Sequence, residues 1–245
     1  MCRHAAWLGA PRPLTSLIHE PEHGLMRQSY APRRQRHGTV NADGFGMGWY
    51  DPAAPEPVRY RRAIPVWADA NLPGLARVAR GGCLLAAVRC ATVGMPVEES
   101  ATAPFAAGRW LLSHNGRVAR DAVRDLAGAD AAESTCDSAG LAAAVFHRLR
   151  TAAPSSTPSA AGLGAALAEV VTSAAARDPE ARLNLLACDG TQLAATAWGD
   201  TLFHRPCPDG VLVASEPLCD DPGWRPVPDR SLLVVTPDGS RVQPL

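Results

Sequence analysis

Hydrophobic patterning divides the chain into three stretches, and their order limits the fold more than any other feature. The first third offers apolar segments bounded by turn formers: Phe45–Tyr50, with small residues on one face, then Val58–Val66, Cys83–Arg89 and Trp110–His114. Leu72–Arg80 has the spacing of a short helix, closed by Gly81-Gly82 as its C-cap. The rest of the first fifty residues reads as turn-rich. The middle third switches to helical spacing. Val118–Leu126 is a short helix. Ser138–Arg150 puts Leu141, Val145 and Leu149 on one side, and Leu163–Ala176 does the same with Leu163, Leu167 and Val170. A Pro/Ser/Thr loop over Ala152–Ala161 joins the two long helices as antiparallel neighbours. The last third returns to strands in hairpins. Leu183–Cys188 and Gln192–Trp198 flank Asp189-Gly190. Leu202–Arg205 pairs with Val211–Ser215, and Leu232–Thr236 with Arg241–Gln243, each across a Pro-Asp-Gly turn. Strands, helices, then strands again predict an α+β fold rather than a doubly wound parallel sheet. With no internal repeat and no long linker, residues 1–245 read as a single domain.

Composition narrows the chemistry. The net charge is zero, which gives no bulk attraction for nucleic acid. No run approaches the roughly 20 apolar residues of a membrane span, and no signal peptide follows Met1. The seven cysteines are scattered without a C-x-x-C, so neither a disulfide framework nor a structural zinc site is expected, and a reducing cytoplasm is the default compartment. All 24 basic residues are arginine. Without lysine there is no P-loop, no Schiff base and no Ser-Lys dyad, and arginine is too basic to substitute as a proton acceptor.

Two motifs are weak on mechanical grounds. His19-Glu-Pro-Glu-His23 matches the H-E-x-x-H zinc signature, but Pro21 lies inside the turn that would bring both histidines to one face, so it reads as a loop. Gly44-Phe-Gly-Met-Gly48 has no helix behind it to bind phosphate. It marks either a strand where backbones approach closely, or a strand lining a pocket with Asn41 and Asp43 at the mouth.

Cys2 is the most informative position. Residue 2 is small, so removal of Met1 is expected and leaves an N-terminal cysteine. Its α-amine, with an ordinary pKa near 8, can take the proton of its own thiol. Three further signals accompany it. Arg89 ends an apolar strand, as a carboxylate clamp would, or as one half of a salt bridge. Asn115-Gly116 offers an amide and a backbone N–H, the donors of an oxyanion hole, or else a tight turn. Asp137 stands at a helix start, free to pair with an ammonium, or simply the N-cap. Together they describe a receptor for an amino acid with a nucleophile at its far end.

Cys2, the Arg89-x-Ala-Thr92 strand end, His114-Asn-Gly116 and Thr135-x-Asp-Ser138 resemble, in order and spacing, the class II glutamine amidotransferases of the N-terminal-nucleophile hydrolase superfamily. Within that family, Met1-Cys-Arg-His4, the run Arg33–Gly46, Pro96–Ser100, Ala214-Ser-Glu-Pro217 and Val227–Ser231 look like its ergothioneine-biosynthesis branch. The resemblance implies a four-layer αββα sandwich without an attached synthase domain. It implies a γ-glutamyl small molecule as substrate, with Cys2 attacking the γ-carbonyl and Asn115 and Gly116 holding the oxyanion. Arg89 and Thr92 would bind the glutamyl α-carboxylate and Asp137 the α-amine. His114, Asn41 and Asp43 join the substrate-binding set, and Arg34 and Arg36 could pair with carboxylates of the leaving group. No metal and no organic cofactor is called for, and no nucleic acid or membrane; self-association into a homo-oligomer stays open. Ala87 and Val93 stand where glutamine-using relatives often carry histidine, which separates the leaving-group side from theirs. A glutaminase subunit feeding ammonia to a separate synthase, and a binding protein that kept the fold, remain the alternatives.

Overall fold

A computed structural model describes residues 2–128, 132–152 and 160–245. The chain opens with β1 (Arg3–Pro13), α1 (Thr15–Ile18) and α2 (Leu25–Tyr30). It continues with β2 (Phe45–Trp49), β3 (Val58–Arg62), α3 (Leu72–Val78) and β4 (Arg80–Val88). Then come β5 (Phe105–Ala107), β6 (Trp110–Arg117), α4 (Arg120–Arg124), α5 (Asp137–Thr151) and α6 (Ala160–Arg177). The last third supplies β7 (Arg182–Cys188), β8 (Leu193–Ala197), β9 (Phe203–Cys207), β10 (Gly210–Ala214), β11 (Arg225–Pro226), β12 (Ser231–Thr236) and β13 (Gly239–Pro244).

The strands form two antiparallel sheets. One runs β11-β9-β10-β1-β4-β2-β3 and the other β13-β12-β8-β7-β6-β5. Alternation along each strand sorts the apolar side chains into three clusters, and those clusters define four layers. Ala6, Leu8, Leu85, Leu111 and Leu186 fill the space between the sheets. Trp7, Leu84 and Ala86 point the other way, under Leu17, Leu25 and Leu72 of α1, α2 and α3. Leu112, Leu183 and Leu185 are covered by Leu141, Val145, Leu167 and Val171 of α5 and α6. This is the αββα sandwich that the resemblance implies, and it agrees with the α+β class that the strand–helix–strand order predicts.

Several local expectations need correction. The first fifty residues are not mainly turns, because β1 runs through them at the centre of the larger sheet. Gly81 and Gly82 do not cap α3; they lie in β4, where a Cβ on Gly82 would stand 2.8 Å from the carbonyl oxygen of Gly9. The strand expected over Val58–Val66 stops at Arg62. Part of the loop expected over Ala152–Ala161, residues 153–159, lies outside the described residues, and α6 already begins at Ala160. The glycines of β2 face the second sheet at close range: a Cβ on Gly46 would meet the Ala103 carbonyl oxygen at 2.2 Å. Close backbone approach therefore accounts for that run. All seven cysteines are free. Among the described residues, no helix is long and apolar enough to cross a membrane.

Candidate active site

A small cavity, with room for about one water molecule, opens where the start of β1, the end of β4 and β6 meet, lined by Cys2, Arg89, Thr102, Ser113, His114 and Ser138. Cys2 is half-buried, with its Sγ 3.9 Å from the Cys90 carbonyl oxygen. Burial pushes the thiol pKa up, against the pull of the nearby Arg89 guanidinium. The resting group is therefore a thiol, and it needs a base to become a nucleophile.

Arg89 reaches the same cavity from the end of β4. It is buried, and its backbone N–H is held by the Gly44 carbonyl at 2.7 Å. Nη2 donates to the Pro96 carbonyl at 2.8 Å, and Nη1 lies 3.5 Å from that of Asp43. Among the described residues, no carboxylate oxygen comes within 4 Å of the guanidinium, so the salt-bridge reading does not hold for them. A buried cation bound only to carbonyls retains strong attraction for an anion.

Asn115 is fully buried in β6, and neither its amide nitrogen nor its amide oxygen has a hydrogen-bond partner. Alternation puts it on the face that carries Ser113 and Leu111, toward the other sheet. Cys2 shares a face with His4 and Ala6 on β1, and His4 Nδ1 lies 3.2 Å from Ser113 Oγ. Both residues thus face the space between the sheets, though Asn115 is not among the residues that line the cavity at Cys2. An unsatisfied buried amide costs about 1–3 kcal/mol, and its free N–H is the kind of donor that a developing oxyanion requires.

A family model of the class-II glutamine amidotransferases matches residues 24–210. A gamma-glutamyl-hercynylcysteine sulfoxide hydrolase from Mycolicibacterium smegmatis is 53% identical over 100% of both chains. The chain belongs to the class-II glutamine amidotransferases. Among solved structures, a glutamine aminotransferase class-II domain protein from Silicibacter pomeroyi aligns with a TM-score of 0.67 at 26% identity, over 99% of each chain. The glutamine phosphoribosylpyrophosphate amidotransferase of B. subtilis shares the fold, with a TM-score of 0.70 at 15% identity; all of this chain covers 49% of that one.

The other candidate residues of this amidotransferase domain divide into those at the cavity and those outside it. Gly116 lies in β6, not in a turn, and a Cβ there would stand 1.9 Å from the Arg182 carbonyl oxygen. His114 is a buried cavity wall. Its Nε2 donates to the Arg182 carbonyl at 2.9 Å, which leaves Nδ1 to accept from Ser138 Oγ at 2.9 Å. Burial holds its pKa down, so the ring is neutral. Asp137 is not the N-cap of α5: Cys136 is, through its Sγ and the Ala139 N–H. Asp137 is buried one residue on, accepting the Val118 N–H at 3.1 Å and the Ser138 N–H at 2.9 Å.

Asp43 braces the clamp rather than joining it. Its Oδ2 accepts the Ala91 N–H at 2.8 Å, and its own N–H donates to the Arg89 carbonyl at 2.9 Å. Thr92 is exposed, at the start of a turn closed by the Met95 N–H, and does not line the cavity. Asn41 is buried against α2 instead, its Nδ2 donating to the main-chain carbonyl of Gln28 and to the side-chain Oε1 of Gln35. Arg34 and Arg36 are exposed on the preceding loop. Arg34 borders a separate surface groove with Trp224, and Arg36 acts electrostatically on Asp200. His19–His23 is a loop between α1 and α2. Among the described residues, Glu22, His23 and Asp220 form the one group able to converge on a cation, and His19 is not part of it.

Three charged residues at this end were given no role by the sequence, although Arg3 and Glu216 lie inside the named runs Met1–His4 and Ala214–Pro217. Arg3 and Glu216 are fully buried and Asp200 nearly so. The available signal was an arginine placed directly after Cys2 in an otherwise apolar run.

Proposed function

We propose that this amidotransferase hydrolyses the γ-glutamyl amide bond of γ-glutamyl-hercynylcysteine sulfoxide, in ergothioneine biosynthesis, through a glutamyl thioester on Cys2. The observation that carries the reading is the shared cavity: the Cys2 thiol and the buried Arg89 guanidinium, which has no carboxylate partner among the described residues, line one small space. The full-length relatives that bear that name support the substrate.

Met1 is removed, and the exposed α-amine of Cys2 takes the thiol proton as sulfur attacks the γ-carbonyl carbon. Asn115 Nδ2 and the Gly116 N–H stabilise the oxyanion. The C–N bond then breaks, and the ammonium returns its proton to the leaving amine. Water, deprotonated by the same amine, attacks the thioester and frees glutamate and the thiol. Arg89 binds the glutamyl α-carboxylate, and Asp137, beside His114, accepts the α-ammonium. Thr92 reaches the carboxylate only if its turn moves inward. Every group used belongs to the chain itself, so the scheme involves no metal and no cofactor. The enzyme works in the cytoplasm on a small molecule, without nucleic acid.

The test is glutamate release from the sulfoxide, glutamine, glutathione and γ-glutamylcysteine, side by side. The sulfoxide is expected to be cleaved at least tenfold faster than the others. Equal cleavage of glutathione overturns the substrate, and glutamine as the best substrate favours ammonia delivery. Glutamate release by a Cys2→Ala protein overturns the mechanism.

A further inference from the structure

The cluster beneath Cys2 has no role in the scheme above. Arg3 Nε donates to the carbonyl oxygen of Cys2 at 2.7 Å. Its guanidinium is completely buried, and neither Nη1 nor Nη2 has a hydrogen-bond partner. The nearest carboxylate is Glu216, with Oε2 3.7 Å from Nη1. That carboxylate spends its hydrogen bonds elsewhere, on the backbone N–H groups of Arg33 at 2.9 Å and Arg34 at 2.7 Å. Asp200 also acts on Arg3 through space, and both its oxygens are buried without a hydrogen-bond partner. Arg3 is therefore a charge held close to the nucleophile by its neighbours but not neutralised by contact with them.

We propose that Arg3 is a positioning residue that keeps the α-amine of Cys2 unprotonated, free to accept the thiol proton, and that Glu216 sets how strongly it does so. This rests on the reading that the α-amine is the base. The hydrogen bond to the carbonyl of Cys2 fixes the distance. Covalent geometry puts that residue's nitrogen within about 6 Å of Arg3 Nε. A like charge at that range disfavours the ammonium form. The other groups facing this end are few. From the end of β4 come Arg89, which adds to the effect, and Cys90. On β1 itself His4 is neutral, its pKa lowered to about 3 by burial. From β6 comes neutral His114. Glu216 and Asp200 oppose the two arginines, and Asp200 is itself tempered by Arg182, whose Nε lies 3.7 Å from its Oδ2, and more weakly by His37 and Arg36.

The readout is the acid limb of kcat/KM against pH, with the N-terminus checked by mass spectrometry. Arg3→Gln is expected to move the limb up by about one pH unit. Glu216→Gln is expected to move it down, because Arg3 loses a counter-charge. Arg3→Lys keeps the charge, so its limb stays near wild type while kcat falls. A merely structural pair would lower activity without opposite shifts. Coincident limbs, or equal shifts in Arg3→Lys and Arg3→Gln, overturn the proposal. Should a variant fail to fold, the pH dependence of amine modification in the wild-type protein decides. An α-amine pKa clearly below the ordinary value of about 7.7 supports it, and one at or above that value overturns it. Retained Met1, or an active Cys2→Ala protein, would instead sink the underlying mechanism.

Discussion

Asn115 and Asn184 sit directly opposite each other on β6 and β7, and only Asn184 is fully engaged. Its Nδ2 donates to the carbonyl oxygens of Asp200 and Thr201, both at 3.1 Å, and its Oδ1 accepts the Trp198 N–H at 2.8 Å. The Asn115 amide, equally buried, bonds to nothing. Two like residues in register thus have different work. Asn184→Ala is expected to cost about 1–3 kcal/mol of stability, because it strands three backbone groups. Asn115→Ala is expected to lower kcat by about 10²–10³ with little change in denaturation midpoint. Denaturant titration and steady-state kinetics on both variants separate the roles, and the reverse pattern would falsify the oxyanion assignment.

Arg89 and Asp43 predict a second contrast. Arg89→Lys keeps a charge but loses the planar fork, so KM for a γ-glutamyl substrate should rise by about 10- to 100-fold. Asp43→Ala removes only the brace on the Ala91 N–H. Its effect should be smaller, on the order of 1 kcal/mol, and spread over KM and stability. If Arg89→Lys leaves KM unchanged, Arg89 does not bind the substrate carboxylate.

The layers were legible where one face of an element is polar or a turn is explicit. The hairpin at Asp189-Gly190 and the two long helices lie where their patterns put them. β1 was not legible, because Arg3 to Leu8 are buried on both faces and so show no alternation, and Gly9, Pro11 and Pro13 then imitate a loop. Gly81 and Gly82 mimic a helix stop for a related reason: β4 passes close to the Tyr50 carbonyl at Gly81 and to the Gly9 carbonyl at Gly82. At the site, the meeting of Cys2 and Arg89 in one cavity was legible, because a thiol at residue 2 and an arginine at a strand end are specific signals. Thr92 and Asn41 share the neighbourhood in sequence, but a turn and a pair of carbonyl contacts direct their side chains elsewhere. The Arg3–Glu216 contact joins residues 213 positions apart and leaves no local pattern.

His4 makes stability depend on pH in a direction that can be worked out. Burial lowers its pKa from 6.5 to about 3 in the fold. Below about pH 6.5 the unfolded chain binds a proton that the native state refuses, so stability falls as pH drops toward 3, by about 1.4 kcal/mol per unit. His114 shifts in the same direction. Asp200 shifts upward and works in the opposite sense. Comparing His4→Gln with wild type isolates the histidine. Between pH 7 and pH 5 the wild type should lose about 2 kcal/mol more than the variant in chemical denaturation. Equal losses would mean that His4 is not held neutral.

The absence of lysine turns the base into a directly testable group. Once Met1 is removed, the α-amine of Cys2 is the only aliphatic amine in the chain, since all 24 basic side chains are guanidinium groups. Arginine stays protonated at neutral pH and does not compete for an acylating reagent. With the thiol reversibly protected during the reaction, such a reagent should therefore add one group per chain, and peptide mapping should place it on Cys2. Glutamate release should fall in step with labelling, because an acylated amine can neither accept the thiol proton nor pass it to the leaving group. A γ-glutamyl substrate present during labelling should slow both. Full labelling with activity intact would mean that another group takes the proton, and neutral His4 and His114 would be the next residues to substitute.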